Sequence, residues 1–573
     1  MSRNRKLAKL LLIGLIGVQV LLLVATAWRT GPGWDEWGHL PAGLFNLQYG
    51  DFHPYRVNPP LVRMLSAIPV ALLGGGIDFE LLPKAPGFRS EGYLGMAYVH
   101  QQGPEVFRWV SIARTAVIPI AILGTWLLYK IGSHFGGRRV GLFAAALWGF
   151  SPTILAYGGT ITPDTAATVF GLWATWCFYC WFRIGRTRDT VWMGVSVAVA
   201  LLSKSTWIIL PPLFFTLLVA LQVFCRTRRS RSHQWMQVGL AALIAWTLVH
   251  AVYDFRGVLR PLGSFEFISQ AFSGNDNSSI AEAPVVGNRF AGTPLAWVPA
   301  PLPAEYIQGI DVQKRDFELT DMRSYLMGNW GERGWWYYYA VAWLVKEPLA
   351  FWLMLLVGRG FIVARGVRCR STRRTGIAVV IIPGLAVFLF VSSQTGFNHH
   401  LRYVLPAFPA MFLLAALPIA SVRPRVRMAM VGLLIWFAAS SVVMVPRSYA
   451  FFSEAVGGWR NGHQYLNASN LDWGQDLLSI RTWARANPDK RPIHLLYSPS
   501  QLDFPRLGID ASVGEGSVSP SGPTRDGWWV VSIDRVLNEP NDWFLKQAPT
   551  ERISVSTTVY YVVDGRVVET SEF

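Results

Sequence analysis

The sequence predicts an α-helical polytopic membrane protein with about eleven transmembrane helices, its N-terminus inside, its C-terminus outside, and a small outside α/β C-terminal domain. Composition is the first of three observations behind this. Of 573 residues, 52% are hydrophobic, 14% aromatic and only 15% charged, whereas soluble domains carry about a quarter charged residues. The second is a series of apolar runs of near-spanning length. The third is the placement of positive charge, which collects in short connections between alternate runs.

The first run, Leu10 to Trp28, follows a basic start like that of a signal peptide. It is long enough to span at roughly 20 residues, and no small-residue cleavage pattern follows, so it reads as a retained anchor. Ten further runs lie at Ile112–Ile131, Val140–Ala156, Pro163–Phe182, Val191–Leu202, Trp207–Phe224, Trp235–Val252, Tyr338–Val357, Ile377–Val391, Val404–Ala420 and Met428–Val445. The run at Val191 is short and borrows flanking residues.

Charge sets the expected orientation. Segments 1–9, 130–139, 183–188, 226–235, 359–374 and 421–427 hold 23 Lys and Arg and no acid, against a chain net charge of +17, so everything else is net acidic. Inside loops carry such an excess. The high pI is therefore a topology signal, and no nucleic-acid partner is expected. Residues 1–445 form the membrane module, with large outside loops at about 30–110 and 254–337, and residues 446–573 form the outside domain. The expected location is the cell (cytoplasmic) membrane, multi-pass, with the active site on the extracytoplasmic face. Of four cysteines, Cys177 and Cys180 form a C-x-x-C pair in an apolar helix without a second ligand pair, which reads as packing; Cys225 and Cys369 lie toward the inside. The sequons at Asn277 and Asn467 are chance matches.

In the tail, "DWGQDLLSIRTWARAN" reads as a helix and "IHLLY", "WWVVSI" and "STTVYYVV" as strands, with a turn at Asp564-Gly565. Asn470 or Asp472 suits the N-cap of that helix, which leaves Asp472 outside the active site. In the first loop, Pro59-Pro60 precede "LVRMLSAIPVALL", expected to be a short helix lying along the membrane surface with a single Arg63.

Ionisable residues at or inside spans are costly to desolvate and mark function. Arg114, Lys204 and Arg402 fall near outer helix ends, a cation cluster suited to an anion, with Arg apt for bidentate phosphate contact. Lys346 lies inside a run beside Glu347, a local pairing partner. Asp164 follows Pro163 at a helix start, where a carboxylate suits the dipole. Asp35 and Glu36 are adjacent carboxylates flanked by Trp34 and Trp37, with His39 and His53 nearby. Acid, phosphate-binding cations and a lipid interface together suggest a reaction that releases a lipid phosphate.

These residues resemble a known group, the phospholipid-carrier-dependent glycosyltransferases of the C-type superfamily related to protein O-mannosyltransferases and lipid A aminoarabinose transferases. The first loop is similar to the family's "DE..H...G......PPL" signature through Asp35, Glu36, His39, Gly43, Pro59, Pro60 and Leu61. "SPTILAYGGTITPD", "LLSKST", "GWWYYYAVAWLVKEPL", "HHLRYVLPAFP" and "GGWRNGHQYLNASNLDWGQDL" extend the likeness over nearly the whole chain in order. The resemblance implies a polyprenyl-phosphate sugar donor, an extracytoplasmic acceptor hydroxyl on protein, lipid or glycan, and inversion at the anomeric carbon. It implies a catalytic set of Asp35 as general base with Glu36 and Asp164 lining the same cavity, and Arg114, Lys204 and Arg402 as holders of the departing phosphate. His39, Arg56, Asn58 and Lys346 complete the expected substrate-binding set. Asn58 departs from the His or Lys that the two relatives commonly carry before Pro-Pro, and Arg56 stands two residues away to compensate. No cofactor is called for, and a divalent metal is not indicated.

Two other readings fit less well. An oligosaccharyltransferase of the same superfamily uses a Trp-Trp-Asp motif, but Trp335-Trp336 is followed here by Tyr337. A transporter or flippase places its site near the bilayer midplane, often in repeated halves, whereas the informative residues here crowd one face without a repeat.

Overall fold

The fold was taken from a computed structural model, which describes residues 3–78, 89–224, 229–279, 283–320, 322–364, 371–394, 398–421, 423–538 and 543–568. Its main helices are α1 (Arg3–Arg29), α2 (Glu36–Tyr49), α3 (Leu61–Leu72), α4 (Ser90–Gln102), α5 (Val106–Gly136), α6 (Arg138–Phe150), α7 (Pro152–Tyr157), α8 (Pro163–Arg183), α9 (Thr187–Ser203), α10 (Leu210–Phe224) and α11 (Arg231–Val252). They continue with α12 (Ala304–Glu318), α13 (Tyr338–Lys346), α14 (Leu349–Ala364), α15 (Ser371–Ser393), α16 (Phe408–Ala416), α17 (Pro424–Val442) and α18 (Leu477–Ala486).

The chain is a polytopic membrane protein. Among the described residues, seven helical stretches are long and apolar enough to cross a bilayer: 5–29, 90–136, 205–224, 231–252, 375–393, 401–420 and 424–442. An eighth crossing is available if α13 and α14 count as one span, although the chain bends there by 110°. The other three expected runs are helical without meeting that measure. Val140–Ala156 is split because Pro152 begins a new helix and Ser151 caps it, its Oγ accepting from the Ile154 N–H. α9 has 17 residues. α8 has 21, yet nearly every side is buried, so it tolerates threonines and an acid that a lipid-facing helix would not. Cys177 and Cys180 pack within this core on α8, and Cys225 and Cys369 lie outside the described residues.

In the first long loop, α3 forms where a surface helix was expected, but Arg63 turns inward. Its guanidinium donates to Asn46 Oδ1 at 2.9 Å and to the carbonyls of Asn58 and Tyr55, each at 2.6 Å. Ile68, Leu72 and Leu73 are the exposed large apolar side chains of α3 and its C-cap. Gly43 lets α2 approach α3, since a Cβ there would stand 2.2 Å from the Arg63 carbonyl oxygen.

The tail carries a mixed sheet. Its strands are β1 (Ile493–Leu496), β2 (Ser512–Val513), β3 (Gly527–Ser532), β4 (Glu551–Arg552), β5 (Thr557–Val563) and β6 (Arg566–Val567), in the order β6-β5-β3-β1-β2 with β4 on β5. β1 runs parallel to β2 and β3, and β3 antiparallel to β5. Asp564 and Gly565 make the β5–β6 turn with φ of 49° and 70°, the positive pair a two-residue hairpin demands. α18 starts later than expected. Asp476, rather than Asn470 or Asp472, precedes it, because residues 468–476 are used to dock the tail onto the helices before it. Asn470 accepts from the Leu401 N–H at 2.9 Å and donates to the Tyr338 hydroxyl and the His399 carbonyl.

One buried ion pair fixes the start of α2. Glu36 and Arg114 are 0% and 1% exposed and meet at 2.5 and 2.9 Å. Arg114 spends its remaining donors on the carbonyls of Ala27, Thr30 and Gly31 and on the Thr30 hydroxyl. Glu36 accepts in addition from the N–H groups of Gly33 and Ile161. The pair thus ties the end of α1, the turn before α2, the middle of α5 and the approach to α8 at one point. Arg114→Ala strands a buried carboxylate and should cost about 3–5 kcal/mol, read as a large drop in the melting temperature of the solubilised protein; an unchanged melt would contradict this role.

Candidate active site

Four of the expected residues sit where the chain breaks between elements. Asp35 immediately precedes α2, and Asp164 is in the first turn of α8 behind Pro163. Lys204 ends α9 in an extended conformation, φ −156° and ψ 137°. Arg402 lies in the 3-10 turn Leu401–Ala407 ahead of α16. Such breaks free side chains from a helix face and let them converge.

They form one chain of charge. Arg402 Nη2 donates to Asp35 Oδ2 at 2.5 Å, Arg402 Nε lies 3.5 Å from Asp164 Oδ2, and Lys204 Nζ donates to Asp164 Oδ1 at 2.5 Å. The Arg402, Asp164 and Lys204 side chains are 2%, 2% and 7% exposed, while Asp35 is 28% exposed. Asp35 is therefore the member that a substrate can reach. Aromatic faces surround the cations: Lys204 Nζ stands 4.4 Å from the Tyr403 ring centroid, and Arg402 Cζ 4.4 Å from that of Trp473.

The network opens on a cavity of about 870 Å³, lined also by Trp34, Tyr55, Asn58, Arg89, His400, Tyr403, Asp472, Trp473 and Asp534. Asn58 gives its backbone carbonyl to Arg63 and leaves its buried Oδ1 without a hydrogen-bond partner among the described residues. Asp472, expected outside the site, is in the wall. Its Oδ2 accepts from Ser532 Oγ at 2.6 Å and its Oδ1 from the Gly474 N–H.

The structure places the other expected residues elsewhere. Arg114 and Glu36 are absorbed in their own saturated pair, so neither reaches the cavity. Arg56 is bound to Glu305 at 2.5 Å and does not stand in for Asn58. His39 stacks on Tyr55, ring centroids 4.6 Å apart, behind the cavity wall. Lys346 does not pair with its neighbour: its Nζ donates to the Tyr449 and Asn470 carbonyls at 2.7 and 2.5 Å, while Glu347 accepts from Ser151 and Thr153. Lys346 thus clamps the tail's first residues to α13. Sequence reasoning missed Trp473, His400 and Asp534; the first two flank charged motifs already picked out, and Asp534 carries no local signal.

Burial, reinforced by Arg402, His399 and Lys204, holds His400 well below the usual histidine range, so it stays neutral; its Nδ1 lies 2.6 Å from Ser469 Oγ. Burial pushes the Asp534 carboxyl up to about 6, and burial together with the carboxylates of Asp476 and Asp534 pushes Asp472 well up. Among the described residues, no group of three or more His, Cys, Asp or Glu is arranged to hold a metal ion.

These features define a polytopic membrane protein with a buried ion network facing a large cavity, and the motifs that build the network resemble those of C-type glycosyltransferases. Residues 107–252, about a quarter of the chain, match the family model described as Dolichyl-phosphate-mannose-protein mannosyltransferase. Similar solved structures include ArnT from Cupriavidus metallidurans in the apo state, 12% identical with a TM-score of 0.45, and the same protein bound to undecaprenyl phosphate, 14% identical with a TM-score of 0.46. Each comparison covers 96% of this chain and 97% of the other. The oligosaccharyltransferase AglB from Archaeoglobus fulgidus, in complex with an inhibitory peptide and a dolichol-phosphate, is 12% identical over 75% of this chain and 56% of its own, with a TM-score of 0.43. No curated protein matches the sequence.

The raised Asp534 yields a signed pH effect. Because the folded state holds its proton more tightly than the unfolded state, ionisation destabilises the fold as pH rises from about 4 through 6, and the cost persists above. Asp534→Asn should raise stability on the order of 1 kcal/mol at pH 7.5 and leave it unchanged near pH 4, measured as thermal unfolding of the full chain; a shift of equal size at both pH values would contradict this.

Proposed function

We propose that this chain transfers a sugar from a polyprenyl-phosphate donor to an acceptor hydroxyl at the outer face of the membrane, with inversion at the anomeric carbon. The observation that carries the reading is the Asp35–Arg402–Asp164–Lys204 network at the wall of the cavity, one exposed carboxylate joined to two buried cations. The family match over residues 107–252 supports the class of donor.

Each member has a chemical task. The donor's phosphodiester carries one negative charge, and cleavage of its bond to the sugar leaves a phosphate monoester with more. Arg402 and Lys204 stabilise that developing charge, which a leaving phosphate needs more than protonation. Arg402 Nη1 has no hydrogen-bond partner among the described residues and is a donor ready for a phosphate oxygen. Asp35 accepts the proton of the acceptor hydroxyl as that oxygen attacks the anomeric carbon. Asp164 holds both cations and does not take part in proton transfer.

The pairing of Asp35 with Arg402 also orders the steps. While the carboxylate is bound to the guanidinium its Oδ2 is occupied, and an arriving phosphate competes for the same donors. Donor binding thereby releases Asp35 toward the acceptor.

Purified protein incubated with a panel of polyprenyl-phosphate sugars should release sugar onto an acceptor from one of them. Asp35→Asn should lower transfer roughly 10²- to 10⁴-fold and retain donor binding; near-normal turnover in that variant would remove Asp35 as the base. Arg402→Ala should raise the apparent donor KM more than the acceptor KM, and an unchanged donor KM would count against the phosphate assignment.

A further inference from the structure

Trp473 belongs to the tail, yet it is built into the site. Its ring is 5% exposed and lies against Arg402 with Cζ 4.4 Å from the centroid. Its backbone carbonyl accepts from the Trp34 N–H at 2.8 Å, and two residues on, the Gln475 carbonyl accepts from Gly31 at 2.7 Å. A Cβ at Gly33 would come within 2.3 Å of the Trp473 ring, so only glycine lets the loop carrying Asp35 pass this close. The same indole therefore touches the strand of chain that positions the carboxylate and the guanidinium that binds it.

Arg402 needs such a support. Asp35 accepts from its Nη2 and Asp164 stands 3.5 Å from its Nε as an ion pair, while neither Nε nor Nη1 has a hydrogen-bond partner among the described residues. Two attractions along one edge leave the tilt of the guanidinium plane open. A flat aromatic face whose centroid lies 4.4 Å from the guanidinium carbon restrains it through cation–π contact.

We propose that Trp473 is a positioning residue, through which the C-terminal domain sets the orientation of Arg402 and thereby the affinity for the lipid phosphate. This rests on the glycosyltransferase reading and adds that the tail is part of the phosphate site. Trp473 contacts Arg402, not the reacting atoms.

The test uses the full-length protein in detergent or nanodiscs, titrated with a polyprenyl phosphate lacking sugar. Trp473→Leu keeps an apolar filler but loses the π face, and should weaken Kd about 3- to 30-fold, the range of a partly desolvated cation–π contact. Trp473→Phe, which keeps a face, should stay within about 3-fold. In an Arg402→Gln background Trp473→Leu should have no further effect, because the contact it supports is already gone. Wild-type affinity in Trp473→Leu, a ten-fold loss in Trp473→Phe, or a full additive loss in the Arg402→Gln background would each overturn the proposal. Failure of the wild-type chain to bind the lipid phosphate would instead remove the glycosyltransferase reading, and this proposal with it.

Discussion

Charges buried among apolar helices have to be neutralised, and most of what is specific in this structure follows from how that is done. Two clusters solve the problem differently. Glu36 and Arg114 satisfy each other and the backbone groups of Ala27, Thr30, Gly31, Gly33 and Ile161, and all of the Arg114 donor groups are taken. Asp35, Arg402, Asp164 and Lys204 are linked in a line with one end open to the cavity. A saturated pair is architecture. An open-ended one has groups left over for a ligand.

The two clusters are one residue apart in sequence, at Asp35 and Glu36, and the first sets the second. By holding the turn before α2 and the Ile161 amide ahead of α8, the Glu36–Arg114 pair brings two separate chain breaks together. Asp35 and Asp164 then face the same guanidinium. The tail closes the arrangement from above. Asn470 joins Leu401 and His399, Lys346 reaches back to the Asn470 carbonyl, and Trp473 covers Arg402. The tail is therefore a wall of the cavity and not an appendage.

Much of this was legible in the sequence, for a physical reason. A charge inside or beside an apolar run stands out because its burial is costly, which is how Asp35, Asp164, Lys204 and Arg402 could be picked. The same signal selected Arg114, Lys346 and Glu36, because sequence shows that a charge is buried without showing whether its hydrogen bonds are already taken. Asp472 was misplaced for the opposite reason: its local pattern suits a helix cap, and only the docking of the tail makes it a wall residue. Asp534 and the approach of Trp473 to Arg402 depend on contacts between segments far apart in the chain, which no local pattern encodes. Helix content followed the apolar runs closely, but Pro152 divides one run and the bend after Lys346 divides another.

The proposed reaction depends on the open ion network receiving a lipid phosphate. An experimental structure of the full-length protein with a bound polyprenyl phosphate tests it most directly. The phosphate should lie within hydrogen-bonding reach of Arg402 and Lys204, with the Asp35 carboxylate released from the guanidinium and turned toward the cavity. A phosphate seated elsewhere, with the contact between Asp35 and Arg402 intact, would contradict it.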